Sequence, residues 1–216
     1  MPLLFTRQLN EHTVLGAWSI TERADALLLA LPSGISPELM LEQAHPRRQA
    51  EWLASRVLIY SLLQQFTSDT PIVLRNENGK PVFEQAPYFV SISHSPGLAA
   101  VIVSDKFEVG IDVELLSPKA LRVAHKFLSE DEKNFTCNEA DKTCLYWSAK
   151  ETLYKMYSQR KLFFKENLLL QPDPETDNLL WGRVQTDNFS KLYQVHYEVL
   201  QQHILTYCID NSTNEL

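Results

Sequence analysis

Inside the apolar run LAAVIVSDKFEVGIDVELL, residues 98–116, the stretch GIDVE sets two carboxylates, Asp112 and Glu114, two residues apart. Side chains of a strand alternate between faces. Val109, Ile111, Val113 and Leu115 therefore share one face and Asp112 and Glu114 the other, roughly 6.5 Å apart. Two anions at that spacing repel by about 2.5 kcal/mol at an effective dielectric of about 20, and by about 0.6 kcal/mol in water. The pair demands either a wet face or a cation.

A chain of 216 residues with 44% hydrophobic and 22% charged residues can bury a sizeable core, as one domain or two small ones. The start, MPLLFTRQLN, is too short an apolar run for a secretory signal, and no stretch approaches the roughly 18 apolar residues of a membrane span. A cytoplasmic protein with no membrane association is expected. Cys137, Cys144 and Cys208 are odd in number and lack metal-ligand spacing, which fits reduced thiols. A net charge of −7 argues against a general nucleic-acid binder. It leaves room for a small polyanion held by local cations, for which Arg47-Arg48, Arg56, Lys80, Lys150, Lys155 and Arg160-Lys161 are candidates.

Periodicity gives the element order. Strands are expected at LLFTRQL and TVLGAWSI, helices at ERADALLLAL and over residues 46–66, then strands at IVLR, YFVSIS, AAVIVS and FEVGIDVEL, with turns at NENGKP and SPG. Beyond Pro118 the pattern is helical through LRVAHKFL and from Ser129, where Glu132 three residues on completes a capping-box signature, followed by a long helix from about Glu139 to Ser158. The tail returns to strands at LLWGRVQ, KLYQVHYEVL and HILTYCID. This order suggests an α+β protein of two similar halves, residues 1–105 and 106–216.

Taken alone, Asp112 and Glu114 read as a solvated sheet face. A third donor is offered by YWSAKETLYK, residues 146–155, where Glu151 and Lys155 stand one turn apart on a helix; the ordinary alternative is an exposed ion pair. SISHSPG offers Ser93 and His94 at a strand-ending turn, suited either to a phosphate or merely to capping the turn. Lys80 in the turn after Asn78-Gly79, and Arg47, Arg48 and Arg56 on the helix RRQAEWLASR, add cations.

The ordered set of basic helix, N-G-K-P turn, S-H-S, G-I-D-V-E, F-L-S-E-D-E and W-S-A-K-E-x-x-x-K resembles the 4′-phosphopantetheinyl transferases, in particular their large, pseudodimeric, surfactin-synthetase-activating class. The resemblance covers roughly residues 46–165. It implies two α+β subdomains in a pseudo-twofold arrangement with the active site in the cleft between them. It implies transfer of the 4′-phosphopantetheine group of coenzyme A to a serine of an apo acyl or peptidyl carrier protein, with Mg2+ required and adenosine 3′,5′-bisphosphate released. The first half would be the nucleotide-binding side and the second the metal-binding, catalytic side, in a monomer.

By the same resemblance Asp112, Glu114 and Glu151 are the metal ligands, and Glu151, Lys155 and Asp112 the catalytic residues, with Glu151 as ligand, base or both. Arg48, Arg56, Lys80, Ser93, His94, Lys150 and Lys155 hold coenzyme A, with Arg56 preferred for the 3′-phosphate. Val109, Ile111 and Val113 are expected to anchor the strand in the core of the second half, with Asp112 and Glu114 facing the cleft. LRVAHKFL, with Arg122, His125 and Lys126, is the candidate docking surface for an acidic carrier. The competing readings are another metal-dependent phosphotransfer or phosphodiester-cleaving enzyme, and an inactive coenzyme A or carrier-protein binding module.

Overall fold

The computed structural model describes residues 2–35, 44–159 and 162–211; Arg160 and Lys161 lie outside the described residues. The chain divides into two compact units, Met1–Phe107 and Glu108–Leu216. No described helix is long and apolar enough to cross a membrane.

In the first unit β1 (Leu3–Asn10), β2 (Thr13–Ser19), β5 (Phe89–Ser95) and β6 (Leu98–Ser104) form an antiparallel sheet in the order β1-β2-β6-β5. The β5–β6 hairpin closes through Pro96 and Gly97, and Gly97 takes the φ of +83° that a side chain would resist. Short strands β3 (Val73–Arg75) and β4 (Pro81–Phe83) pair beside it. Their turn is held by Asn76, whose Oδ1 accepts from the backbone N–H of Asn78 and of Lys80, each at 3.0 Å. Helix α1 (Ala24–Leu29) sets Leu27 against Ala50, Leu53 and Ala54 of the 18-residue helix α2 (Pro46–Leu63). Proline at the first turn and an N-capping His45 start α2, and its Leu58, Ile59, Leu62 and Leu63 pack on Val14, Val90, Val101 and Val103 of the sheet.

The second unit repeats this plan with another 18-residue helix. Strands β7 (Val109–Leu115), β8 (Leu168–Pro172), β9 (Leu179–Thr186), β10 (Phe189–Leu200) and β11 (His203–Ile209) form an antiparallel sheet in the order β7-β11-β10-β9-β8. Helices α3 (Lys119–Phe127), α4 (Glu130–Thr136), α5 (Ala140–Tyr157) and α6 (Phe164–Asn167) complete it. The expected capping box is formed: Ser129 Oγ accepts from Glu132 N and Glu132 Oε2 from Ser129 N. Helix α5 carries Ala149, Leu153 and Met156 onto Leu168, Leu170, Leu180, Val184, Val195 and Cys208.

The register of β7 corrects the expected facing. Gly110 pairs with Cys208 and Asp112 with Thr206, so Gly110, Asp112 and Glu114 share the face that α5 covers, where the core of this unit lies. Val109, Ile111 and Val113 lie on the reverse face, also buried, at 1%, 0% and 1% exposure. The helix can lie this close because residue 110 lacks a side chain: a Cβ there would come within 2.9 Å of both Thr152 O and Met156 Cγ. Strands β4 and β8 and helix α6 are short elements that periodicity does not show. Gly110→Ala should lower unfolding free energy by about 1–3 kcal/mol, because a backbone carbonyl cannot yield as a side-chain tip can; urea denaturation measures this.

Candidate functional site

The second unit gathers its charges where α5 crosses β7. Trp147, Glu151 and Lys155 recur every fourth residue and so form one stripe, about 12 Å long, on α5. At one end the Trp147 indole Nε1–H donates to Glu114 Oε1 at 2.9 Å. At the other, Lys155 Nζ donates to Asp112 Oδ1 at 2.9 Å and to the Ile111 carbonyl at 2.7 Å. Lys155 thus reaches across to β7, where the plain helix-pair reading keeps it with Glu151.

The row of α5 beneath this stripe fixes the helix azimuth. Ser148 Oγ lies 2.9 Å and Thr152 Oγ1 2.7 Å from Thr206 Oγ1, and all three residues are fully buried. Thr206 stands opposite Asp112 in the β7–β11 ladder, so the hydroxyls that hold α5 to the sheet sit beside the carboxylate that Lys155 neutralises.

Glu151 lies between the two ends. Burial first, and then the Asp112 and Glu114 charges, raise its pKa to about 7, against the opposing pull of Lys155. Glu114 is also raised, by burial and by Asp112, with Trp147, Lys155 and His203 working the other way. Glu114 and Glu151 therefore both feel the Asp112 charge.

The donor set fits a hard cation. Magnesium takes oxygen ligands and is commonly bound through one or two carboxylates with waters and phosphate completing its shell, so three mutually repelling carboxylates suit it. Among the described residues no three His, Cys, Asp or Glu side chains stand close enough together to hold a metal ion as they lie, with Lys155 rather than a cation against Asp112.

Lys150 corrects the sequence reading. Expected to meet phosphate, it is wholly buried, and its ammonium spends its three protons on Phe127 O at 2.6 Å, Glu132 Oε2 at 2.7 Å and Phe164 O at 3.0 Å. Burial pushes its pKa down while Glu132 opposes that shift. Glu132 Oε1 accepts from Leu170 N at 2.9 Å, so the pair ties α3, α4, α6 and β8 to α5. Neighbouring positions on a helix differ by about 100°, which sends Lys150 inward while Glu151 and Lys155 share the other stripe.

The remaining predicted residues belong to the first unit. His94 Nδ1 lies 3.4 Å from Glu51 Oε2, and Arg47 Nε donates to Glu51 Oε1 at 2.9 Å, so Glu51 of α2 links the two side chains. Beside them a cavity of about 790 Å³ is lined by Arg23, Arg47, Glu51 and Gly97 among others. Arg48 is exposed, Lys80 is half-buried, and Arg56 is buried at 4% exposure with its guanidinium 4.4 Å above the Trp52 ring. A second correction concerns Ser93 and His94. Both are strand residues of β5, which runs to Ser95; their side chains point to opposite faces, and His94 is on the side of Glu51.

Sequence reasoning saw Glu132 only as a helix cap, and passed over Thr206, Glu51 and the part Trp147 takes. Trp147 could have been found, since it stands one turn before Glu151 on the same stripe; the others meet their partners only through long-range packing.

The family model described as the 4′-phosphopantetheinyl transferase N-terminal domain matches residues 36–104, and that of the 4′-phosphopantetheinyl transferase superfamily matches residues 108–208. The chain is 38% identical over 91 residues to 4′-phosphopantetheinyl transferase AcpT of Salmonella typhimurium, covering 41% of this chain and 45% of the relative. To AcpT of Escherichia coli K12 it is 39% identical over 87 residues, 39% of this chain and 42% of the relative. To 4′-phosphopantetheinyl transferase psf-1 of Bacillus pumilus it is 38% identical over 85 residues, 37% of this chain and 36% of the relative. The matched stretch thus spans less than half the length of these relatives.

Two stability measurements test the site. In chelator, Glu151→Gln should stabilise the protein by ~2 kcal/mol at pH 8 and by almost nothing below about pH 3.5, where Glu151 is protonated folded and unfolded. The sign follows from a folded pKa raised to about 7: the native state loses stability as pH rises from the ordinary carboxylate range to 7, and glutamine escapes that loss. Lys150→Met should cost about 3–5 kcal/mol by stranding Glu132, and Lys150→Met with Glu132→Leu much less, as read from urea unfolding.

Proposed function

The chain belongs to the 4′-phosphopantetheinyl transferase superfamily, and from that premise we propose that it transfers the 4′-phosphopantetheine group of coenzyme A to a serine of an apo acyl or peptidyl carrier protein. The observation that carries this reading is the electrostatic coupling of Asp112, Glu114 and Glu151 with Lys155 lying against Asp112.

In the proposed reaction the serine Oγ forms a bond to the phosphorus that bears the pantetheine arm. The bond from that phosphorus to the bridging oxygen breaks, and adenosine 3′,5′-bisphosphate leaves with the electron pair. Glu151 takes the serine proton as general base. Lys155 offsets negative charge on the diphosphate as it departs. Asp112, Glu114 and Glu151 would hold Mg2+, which when bound supplies Lewis-acid neutralisation of the phosphate oxygens. The first unit would serve the nucleotide: His94, Arg47, Arg48, Lys80 and Arg56 are its cations, with Ser93 as a hydroxyl donor. We assign the protein to the cytoplasm as a monomer.

The acidic partner needs a local cation surface, because the chain as a whole carries −7. Helix α3, KALRVAHKF, has no acidic residue and exposes Lys119, Arg122, His125 and Lys126, none ion-paired among the described residues. Val123 adds an apolar contact at 37% exposure. These features support α3 as the face that receives the carrier.

Intact-protein mass spectrometry with coenzyme A, Mg2+ and apo carrier proteins should show addition of one phosphopantetheine; absence of any addition across fatty-acid, polyketide and peptide carriers would refute the reading. Asp112→Ala and Glu151→Ala should each lower the rate by at least 100-fold while retaining the fold by circular dichroism. Arg122→Glu with Lys126→Glu should raise KM for the carrier about 10-fold and leave KM for coenzyme A unchanged, as steady-state kinetics would show.

A further inference from the structure

The stripe of α5 that carries Glu151 and Lys155 has a third member with no task in the proposed chemistry. Trp147 is gripped on two sides: its ring stacks on Phe164 at 5.5 Å and 30°, and meets Phe127 edge-on at 5.1 Å and 67°. Those contacts hold the indole at the end of α3 and the start of α6, from which its Nε1–H reaches Glu114 Oε1 at 2.9 Å. Packing alone would be met by a phenylalanine. The N–H is the extra feature, and it is spent on a carboxylate.

Glu114 needs such a partner more than its neighbour does. Asp112 has two side-chain torsions, is 4% exposed, and has Lys155 on Oδ1. Glu114 has three torsions and sits toward the end of edge strand β7, where its side chain is only partly buried. A longer carboxylate at a less buried position samples more rotamers, and ordering it costs entropy on the order of 1 kcal/mol. A fixed donor that occupies one oxygen removes most of that freedom in advance and leaves Oε2 for a ligand.

We infer that Trp147 is a positioning residue: its indole N–H, clamped by Phe127 and Phe164, locks the Glu114 carboxylate in one orientation and so prepares it to bind a hard divalent cation. The inference rests on the reading of Glu114 as a metal ligand. Partners of this kind orient ligands and typically change metal affinity by 10–100-fold when removed.

The test uses the full chain with Mn2+, a hard oxygen-seeking cation whose free form is counted by electron paramagnetic resonance, in the presence of coenzyme A. Trp147→Phe keeps an aromatic ring between Phe127 and Phe164 but deletes the donor. It should weaken Mn2+ binding by about 10-fold while the melting temperature in chelator stays within a few degrees of the parent. Replacing Trp147 by its benzothiophene isostere, which keeps the bicyclic ring and lacks only the N–H, should give the same loss and covers the case in which phenylalanine packs badly. Equal Mn2+ affinity in parent and isostere would overturn the inference and leave the metal reading standing. Failure of the parent protein to bind Mn2+ at all would overturn both, and loss of binding in phenylalanine but not in the isostere would reduce Trp147 to a packing residue.

Discussion

The contact between Lys155 and Asp112 sets how the charged stripe of α5 meets β7 in the second unit. Asp112 is set on the covered face of a sheet, where an unpaired charge would cost several kcal/mol in desolvation. The ammonium at 2.9 Å offsets that cost, and its second bond to the Ile111 carbonyl fixes the approach of α5 to β7. Once α5 is held there, residue 110 must be glycine-sized and residues 148 and 152 must be small. Glu151 then falls beside two like charges, and its raised pKa follows as a consequence of where the helix lies.

Among the described residues, the charged groups gathered around α5 divide into two systems on adjacent faces of that helix. Glu132 and Lys150 form a satisfied pair whose remaining hydrogen bonds end on backbone, a structural tie. Asp112, Glu114 and Glu151 are three carboxylates against Lys155, and burial together with the Asp112 charge raises the proton affinity of Glu114 and of Glu151. Consecutive letters of the same motif, Lys150 and Glu151, belong to the two systems. A saturated pair stabilises and an imbalanced cluster recruits, so physical role here is set by what the partner side chains leave over.

Much of this was legible in the sequence. The two long helices α2 and α5 were expected where they lie, the capping-box spacing of Ser129 and Glu132 starts α4, and the alternation around GIDVE reveals that Asp112 and Glu114 share a face. Less legible was which face lies inward. Both faces of β7 are buried, so valines on one side and carboxylates on the other do not mark out water from core, and only Gly110 signals a close helix. Lys150 misled for a related reason, because a cation's type does not disclose whether Glu132, eighteen positions earlier, reaches it first. Ser93 and His94 share a tripeptide but straddle a strand, and their separation depended on β5 running on to Ser95.

The three hydroxyls beneath the charged stripe have a further consequence. Each of the contacts Ser148–Thr206 and Thr152–Thr206 accepts either direction of donation, and Thr152 has the Thr206 carbonyl at 3.3 Å as a second acceptor. Protons in this chain can therefore be reordered by rotation about C–O bonds with no movement of heavy atoms. Next to Asp112 that amounts to a small orientable dipole inside a rigid core. When charge on the neighbouring carboxylates changes, the hydroxyls can turn to follow it, giving the site a local polarisability that its dry packing would otherwise deny.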